Sequence, residues 1–226
     1  MIENSNFYNN TVTNQGGGIY NAQATTTITG SNIYNNTANG GGGVFNTDCT
    51  VSIISSSIHN NNSTNDGAGI NNFSATVDII NSNIYENISA NYGGGIFNAG
   101  ATVNIINSII YNNSAAAVAG GVFINGTSIA NVDNSIFWKN EQNNSAITAG
   151  SDIASGGAGV INVDYSMMQI HSGTNGMVGT DPLFINETDP DGADNIPGTA
   201  DDGLQLHSSS PAIDAGIIPL YLNLRI

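Results

Sequence analysis

Gly16-Gly17-Gly18-Ile19-Tyr20-Asn21 returns as Gly41-Gly42-Gly43-Val44-Phe45-Asn46, as Gly67-Ala68-Gly69-Ile70-Asn71-Asn72 and as Gly93-Gly94-Gly95-Ile96-Phe97-Asn98. A looser copy follows at Gly120-Gly121-Val122-Phe123. The aliphatic position runs Ile19, Val44, Ile70, Ile96, Val122, at spacings of 25, 26, 26 and 26 residues. A fixed period of this size marks a repeat architecture, and missing it would mislead every later step. A second motif, Ser-x-(Ile/Phe)-aromatic-x-Asn, keeps the same time from Ser5, Ser31, Ser56, Ser82, Ser108 and Ser135. Its apolar column is Phe7, Ile33, Ile58, Ile84, Ile110, Phe137, and its amide column is Asn10, Asn36, Asn61, Asn87, Asn113, Asn140.

Ahead of the last five serines the chain alternates, as in Thr76-Val77-Asp78-Ile79 and Thr102-Val103-Asn104-Ile105. Period-2 alternation puts one face of a strand inward and the other outward. Each repeat is therefore expected to carry three short strands, and no stretch shows helical periodicity. A propeller blade needs roughly 40 residues or more, and leucine is almost absent before Leu183, against a leucine-rich repeat. The remaining architecture is an all-β parallel β-helix, a solenoid of about eight coils of 25–26 residues. Like residues then stack in columns at the inter-strand spacing of about 4.8 Å. The glycines supply the positive-φ corner.

Residues 1–178 read as β-helix repeats, 179–216 as a final coil with an acidic loop insertion, and 217–226 as a tail. The Gly/Ala/Ser-rich stretch 143–159 reads as a looped-out insertion. In the last coil, Leu183-Phe184, Leu204-Gln205-Leu206 and Ala212-Ile213 are the strand candidates.

Net charge is -15, from 17 acids against Lys139 and Arg225. Phosphate recognition needs clustered Lys and Arg, so a nucleic-acid partner is excluded, as is attraction to an anionic membrane surface. No apolar run approaches the ~20 residues of a membrane span. One cysteine, Cys49, has no partner for an intramolecular disulfide. It falls in a column of small residues with Ala24, Ala75, Ala101 and Ser128, which reads as a buried apolar position.

The two repeat motifs resemble the bacterial surface β-helices related to polymorphic outer-membrane protein repeats. The ending is more specific. Tyr165-Ser166, Asp181-Pro182-Leu183-Phe184, Gly203-Leu204-Gln205-Leu206 and Ser210-Pro211-Ala212-Ile213-Asp214-Ala215-Gly216 resemble the choice-of-anchor Q proteins. The resemblance covers residues 5–216 and implies a right-handed parallel β-helix, exported and held at the cell surface. The start is not a signal peptide and the end shows no recognisable anchor, so the expectation is a fragment of a larger exported protein.

Three candidate chemistries remain. Seven of the 17 acids lie in 181–202, and Asp189, Asp191, Asp194, Asp201 and Asp202 have the alternating-carboxylate pattern of a calcium loop, which gathers oxygens around one hard cation. The alternative is a solvated insertion whose Asp and Gly serve turns. The aromatic column Tyr8, Tyr34, His59, Tyr85, Tyr111, Trp138 offers Tyr34, Tyr85, Tyr111 and Trp138 as a stacking surface for extracellular or cell-surface polysaccharide. The alternative is mutual stacking between coils. A carbohydrate-active enzyme of pectate lyase or polygalacturonase type is the competing class. Its hydrolytic form would use Asp48 with Asp201-Asp202, but those motifs stand about five coils apart, roughly 24 Å along the axis. The outward row Thr25, Thr50, Thr76, Thr102, beside Thr27, Ser52, Asp78 and Asn104, is the other surface ladder. The expectation is a non-catalytic structural or adhesive module with no certain cofactor.

Overall fold

The computed structural model describes residues 1–143, 147–148, 150–171, 173–194 and 199–216. Its strands are all short and pair in parallel, forming four sheets of seven, eight, six and five strands that run along one axis. The sheet registers reproduce the sequence columns residue for residue. Thr76 faces Thr50 and Thr102, Val77 faces Val51 and Val103, and Ile79 faces Ile53 and Ile105. The chain is a parallel β-solenoid.

Each turn carries four strands rather than the three expected. The fourth is two residues long, as at Asn62–Ser63 and Ile88–Ser89, too short to show alternation in sequence. Four strands need four corners, and each corner is turned by a residue with positive φ. In the third turn these are Gly67, Ser74, Asn81 and Glu86. Only the Gly-rich corner announces itself by composition; the others use Asn, Ser, Asp, Gln, Glu86, Lys139 and single glycines, and the non-glycines bear a modest left-handed penalty.

Five turns, beginning at Ile19, Val44, Ile70, Ile96 and Val122, have all four strands. Partial turns flank them, so the expected eight coils are corrected to five complete ones. The stretch 143–159 is not wholly looped out, since Ile153–Gly156 is a strand paired with Val122–Asn125. Residues 181–216 add no coil. They form a strap joined to itself by an antiparallel bridge between Phe184 and Leu206, and it packs sideways on the eight-stranded sheet. The reason is local: Leu183 has positive φ, and the strap's backbone groups pair with each other, as in Ile185 N–H to Gln205 O at 2.8 Å and His207 N–H to Leu183 O at 2.8 Å. The tail 217–226 lies outside the described residues.

The interior is columnar. Ile28, Ile53, Ile79 and Ile105 are completely buried, each contributing about 1.5–3 kcal/mol of burial. Cys49 is buried beside them, and burial pushes its thiol pKa up. The amide column is equally enclosed. Asn87 accepts from Asn61 N–H and Nδ2 at 3.0 Å each and donates to Asn113 Oδ1 at 2.9 Å. A second internal amide ladder, Asn21, Asn46, Asn72, Asn98, passes Nδ2–H to Oδ1 at 2.8–3.2 Å.

The first ladder would next need an amide where His171 stands. Asp152, fully buried, takes over: its carboxylate accepts from Asn140 Nδ2 at 3.3 Å and Ile170 N–H at 3.0 Å. Burial raises its pKa, while hydrogen bonds from Ile170, Asn140 and neighbouring amides pull the other way. The outer aromatic column of the six-stranded sheet has its own repair. Asn71 interrupts Tyr20, Phe45, Phe97 and Phe123, and Phe73 tilts in to lie 5.7 Å from Phe45 and 5.9 Å from Phe97. Among the described residues, the interruption leaves Asn71 Oδ1 buried without a hydrogen-bond partner.

Candidate functional site

The eight-stranded sheet carries the first set of candidate residues on its outer side. Tyr8, Tyr34, His59 and Tyr85 stack with their rings nearly parallel, centroids 5.0, 5.1 and 4.6 Å apart. Rings stacked along the axis turn their faces to one another and their edges to the outside. A sugar ring needs a free aromatic face, so Tyr34, with Tyr8 on one side and His59 on the other, has none to give. Tyr85, Tyr111 and Trp138 are only 1%, 3% and 8% exposed, because Phe184 and Leu204 of the strap cluster with them. Phe184 meets Tyr111 edge-on at 5.8 Å. From Tyr85 to Trp138 the column is therefore a covered seam rather than an exposed ladder, while Tyr8 stays exposed.

Polar contacts complete the seam. Tyr85 OH donates to Asp191 Oδ1, Lys139 Nζ pairs with Glu187, and Tyr111 OH donates to Glu187 O at 3.3 Å. His59 Nε2 lies 2.8 Å from Asn32 Oδ1 and 4.0 Å from Asp191 Oδ2. Burial holds His59 down at about 4, so at neutral pH it is uncharged and gives Asp191 no counter-ion. Burial, with Asp202, Glu86 and Asp189 nearby, raises the Asp191 pKa against the lowering effect of the Tyr85 hydroxyl.

Of the five expected calcium ligands, Asp194, Asp201 and Asp202 come within 3.3 Å of one atom, Thr199 Oγ1, while Asp189 and Asp191 turn elsewhere. Asp191 faces inward to Tyr85, while Asp194 N–H and Thr199 Oγ1–H turn to Asp201, at 3.2 and 2.7 Å. Asp202 lies buried and Asp189 serves a turn to Gly192 N–H at 3.1 Å. Among the described residues no three His, Cys, Asp or Glu side chains are placed to hold a metal ion; residues 195–198 of this loop lie outside them. Asp48 sits exposed at a corner between the six- and seven-stranded sheets, whereas Asp202 belongs to the strap on another face.

No protein family, curated protein or solved structure matches the chain.

The side chains that sequence reasoning weighed least lie on the seven-stranded sheet, whose outer face is covered by no other strand of the described residues. Burial alternates along each strand, for example exposed, buried, half-buried, buried, half-buried over Thr76–Ile80. Down the middle column Asn104 Nδ2 donates to Asp78 Oδ1 at 2.7 Å, Asn131 Nδ2 to Asn104 Oδ1 at 2.8 Å, and Asn162 Nδ2 to Asn131 Oδ1 at 2.8 Å. Beside it, Thr25, Thr50, Thr76 and Thr102 form a hydroxyl row. The third outward column runs Thr29, Ile54, Ile80, Ile106 and then changes to Asp133 and Asp164. That switch from aliphatic to acidic in an otherwise regular column was the signal in the sequence, and it was passed over. The two aspartates open onto a cleft of about 610 Å³ walled by His171, Gly173 and Thr174.

The carboxylates make a prediction about pH. Asp66, Asp133, Asp152 and Asp191 all have raised pKa values, burial being the first cause in each. A raised carboxylate contributes stability that is complete below its unfolded value of ~3.9 and is lost as pH rises through its folded value. His59 works oppositely, its contribution complete above ~6.5 and lost as pH falls through about 4. The two effects oppose each other, so the change in melting temperature from pH 7.5 to pH 4.5, followed by circular dichroism, is expected to be more positive in His59→Asn than in the unaltered chain. The same change in both chains contradicts the assignment.

Proposed function

We propose that the chain is a non-catalytic, surface-displayed structural or adhesive module that holds extracellular polysaccharide on the outer face of its seven-stranded sheet. The observation that carries this reading is the register-locked face itself, which no other described strand covers. Its amides are fixed by one another, so each keeps hydrogen-bonding capacity at a constant repeat while losing little entropy on binding. An extended polymer with regularly spaced hydroxyls matches such a row better than a compact ligand does. The rigid interior serves the same end, since internal ladders of Asn and Ser pin each coil to the next. Surface display rests on the resemblance of the repeats and of the 165–216 ending to exported β-helix proteins.

The competing reading, a pectin-degrading enzyme, would need Asp48 and Asp202 to share a substrate from two different faces. The test is binding of the purified chain to an array of neutral, acidic and amino polysaccharides, with Asn104→Leu/Asn131→Leu as the disrupted face. Retention of a defined polymer, weakened about tenfold or more in that variant, is expected from the loss of two or more hydrogen bonds. Binding that ignores the substitutions, or pectin cleavage abolished in Asp48→Asn, would overturn the proposal.

A further inference from the structure

The aromatic column on the outside of the six-stranded sheet has a gap at Asn71. Asn71 faces Phe45 on one side and Phe97 on the other, so those two rings stand about two strand spacings, ~9.6 Å, apart. Each is backed by a further ring, Tyr20 at 5.3 Å from Phe45 and Phe123 at 6.0 Å from Phe97. The walls of the gap are therefore held in place. The filler comes from elsewhere. Phe73 belongs to the next outward column, between Thr47 and Ala99, and leans across to lie between the walls at tilts of 30° and 44°. The regular pairs Tyr20–Phe45 and Phe97–Phe123 are inclined by only 8° and 19°. Phe73 stays 38% exposed, whereas Phe45 and Phe97 are buried.

The floor of the gap has an unmet need. Asp66 O accepts from Asn71 Nδ2 at 2.9 Å, which fixes the orientation of the amide and turns Oδ1 away from that corner. Asn71 is 3% exposed, and among the described residues nothing donates to this oxygen. A buried acceptor without a donor is unfavourable, and a phenyl ring has no N–H or O–H to offer it. Phe73 thus meets the ring faces and leaves the amide unserved. Acids flank the gap at both ends of the strand. Asp66 is half-buried at one corner, and Asp48 of the preceding turn is exposed at the other, where its N–H donates to Phe73 O at 3.1 Å.

We infer that this gap is a slot for a guanidinium group, the side chain of an arginine on a protein partner, and that Phe73 is the plug it displaces. A guanidinium is planar, carries N–H donors along its edge and is cationic. Planarity suits two facing rings: midway between them it lies about 4.8 Å from each, within the ~6 Å reach of a cation–π contact. An edge N–H serves Asn71 Oδ1. The charge suits Asp48, Asp66 and a chain of net charge -15. Each rival lacks one of these properties. An ammonium is not planar and is more strongly hydrated, an indole or phenol brings a donor without the charge, and a carboxylate or phosphate is repelled. The displaced Phe73 ring returns to its own column, over Thr47 and Ala99. The slot lies on a different sheet from the polysaccharide face and does not rest on that reading.

The experiment is a titration of the full chain with three acetylated and amidated tripeptides, whose middle residue is arginine, lysine or citrulline. Shifts of the phenyl protons in NMR report binding, at about 0.15 M salt to screen general attraction to an acidic chain. The arginine peptide is expected to bind about tenfold or more tightly than either of the others. Asn71→Leu should erase that preference and leave the melting temperature unchanged or higher, because it removes an acceptor that nothing serves. Phe73→Ala should strengthen binding severalfold, since no plug then competes for the slot. Equal binding of the arginine and lysine peptides overturns the inference, as does a preference that survives Asn71→Leu or an arginine peptide that fails to bind Phe73→Ala. Arg225→Gln forms the last arm: binding seen in that variant and not in the unaltered chain would make the chain's own tail the occupant and sink the partner assignment.

Discussion

Asn87→Ala is expected to cost the protein about 4 kcal/mol, lowering the melting temperature by roughly 8–16 °C on the size scaling for 150–250 residues. Asn87 is completely buried in the middle of the internal ladder. Its Oδ1 takes Asn61 N–H and Nδ2 at 3.0 Å each, and its Nδ2 reaches Ile58 O at 2.9 Å, Tyr85 O at 3.0 Å and Asn113 Oδ1 at 2.9 Å. Alanine removes the bonding groups and leaves their partners in place. A buried polar atom stripped of its partner costs ~1–3 kcal/mol, and two or more such atoms remain inside, too tightly enclosed for water to reach all of them. The position also matters because a solenoid is stabilised by nearest-neighbour interfaces, so damage at one interface lets the two halves separate in stability. Urea unfolding followed by circular dichroism should show a lower midpoint or a second transition. Asn39→Ala, which loses only the exposed 3.3 Å contact to Thr64 Oγ1, is the control and should shift the midpoint by under ~0.5 kcal/mol. If the two variants melt alike, the ladder is ornament rather than framework.

The same ladder shows how much of the fold could be read from residues alone. Columns that repeat every 25 or 26 residues gave register directly: Ile53, Ile79 and Ile105 are spaced in sequence as they are stacked in space. His59 and Cys49 were explained by their columns, and both are buried where the columns put them. What periodicity could not show was anything without a repeat. The two-residue strands, such as Ile88–Ser89, are too short for alternation to appear. The strap has strand-like pairs, Phe184 with Leu206, yet nothing local says whether it extends the stack or lies against its side. That choice was settled by the apolar edges of Tyr85, Tyr111 and Trp138, which needed a cover. The candidate site followed the same logic in reverse. Aromatic residues drew attention as a ligand surface because their chemistry is familiar, whereas stacking along the axis uses up the ring faces. Asp133 and Asp164 drew none because each looks ordinary by itself. Only their shared column, aliphatic for Ile54, Ile80 and Ile106, makes the change conspicuous.

Glycine at the inner corner poses the strictest demand in the chain, and Gly43→Ala is expected to cost at least about 3 kcal/mol, more than one overpacked methyl usually does. The reason is the kind of atom in the way. A Cβ on Gly43 would lie 2.6 Å from the carbonyl oxygen of Gly69 in the next turn, and 3.0 Å from both Asn61 Nδ2 and Ile58 Cγ2. A side chain could rotate aside, but the Gly69 carbonyl belongs to the parallel ladder, and the neighbouring Ala68 and Gly69 carbonyls accept Gly43 N–H and Val44 N–H at 2.9 Å. Relief therefore means spreading two turns that strand pairing holds about 4.8 Å apart, which lengthens hydrogen bonds on both sides of the corner. Conformational freedom is not the issue, because Gly43 does not have positive φ. Gly126 offers the opposite case: φ is +68°, and nothing lies within 4 Å of an added Cβ. Gly126→Ala should then cost only the ~1–2 kcal/mol of a left-handed alanine, a penalty the protein already bears at Ala119, where φ is +57°. Measured side by side in urea, Gly43→Ala should have the lower midpoint. The reverse order would mean that the corner glycines were selected for backbone conformation alone, and that close approach between turns is not what fixes the Gly-rich motif.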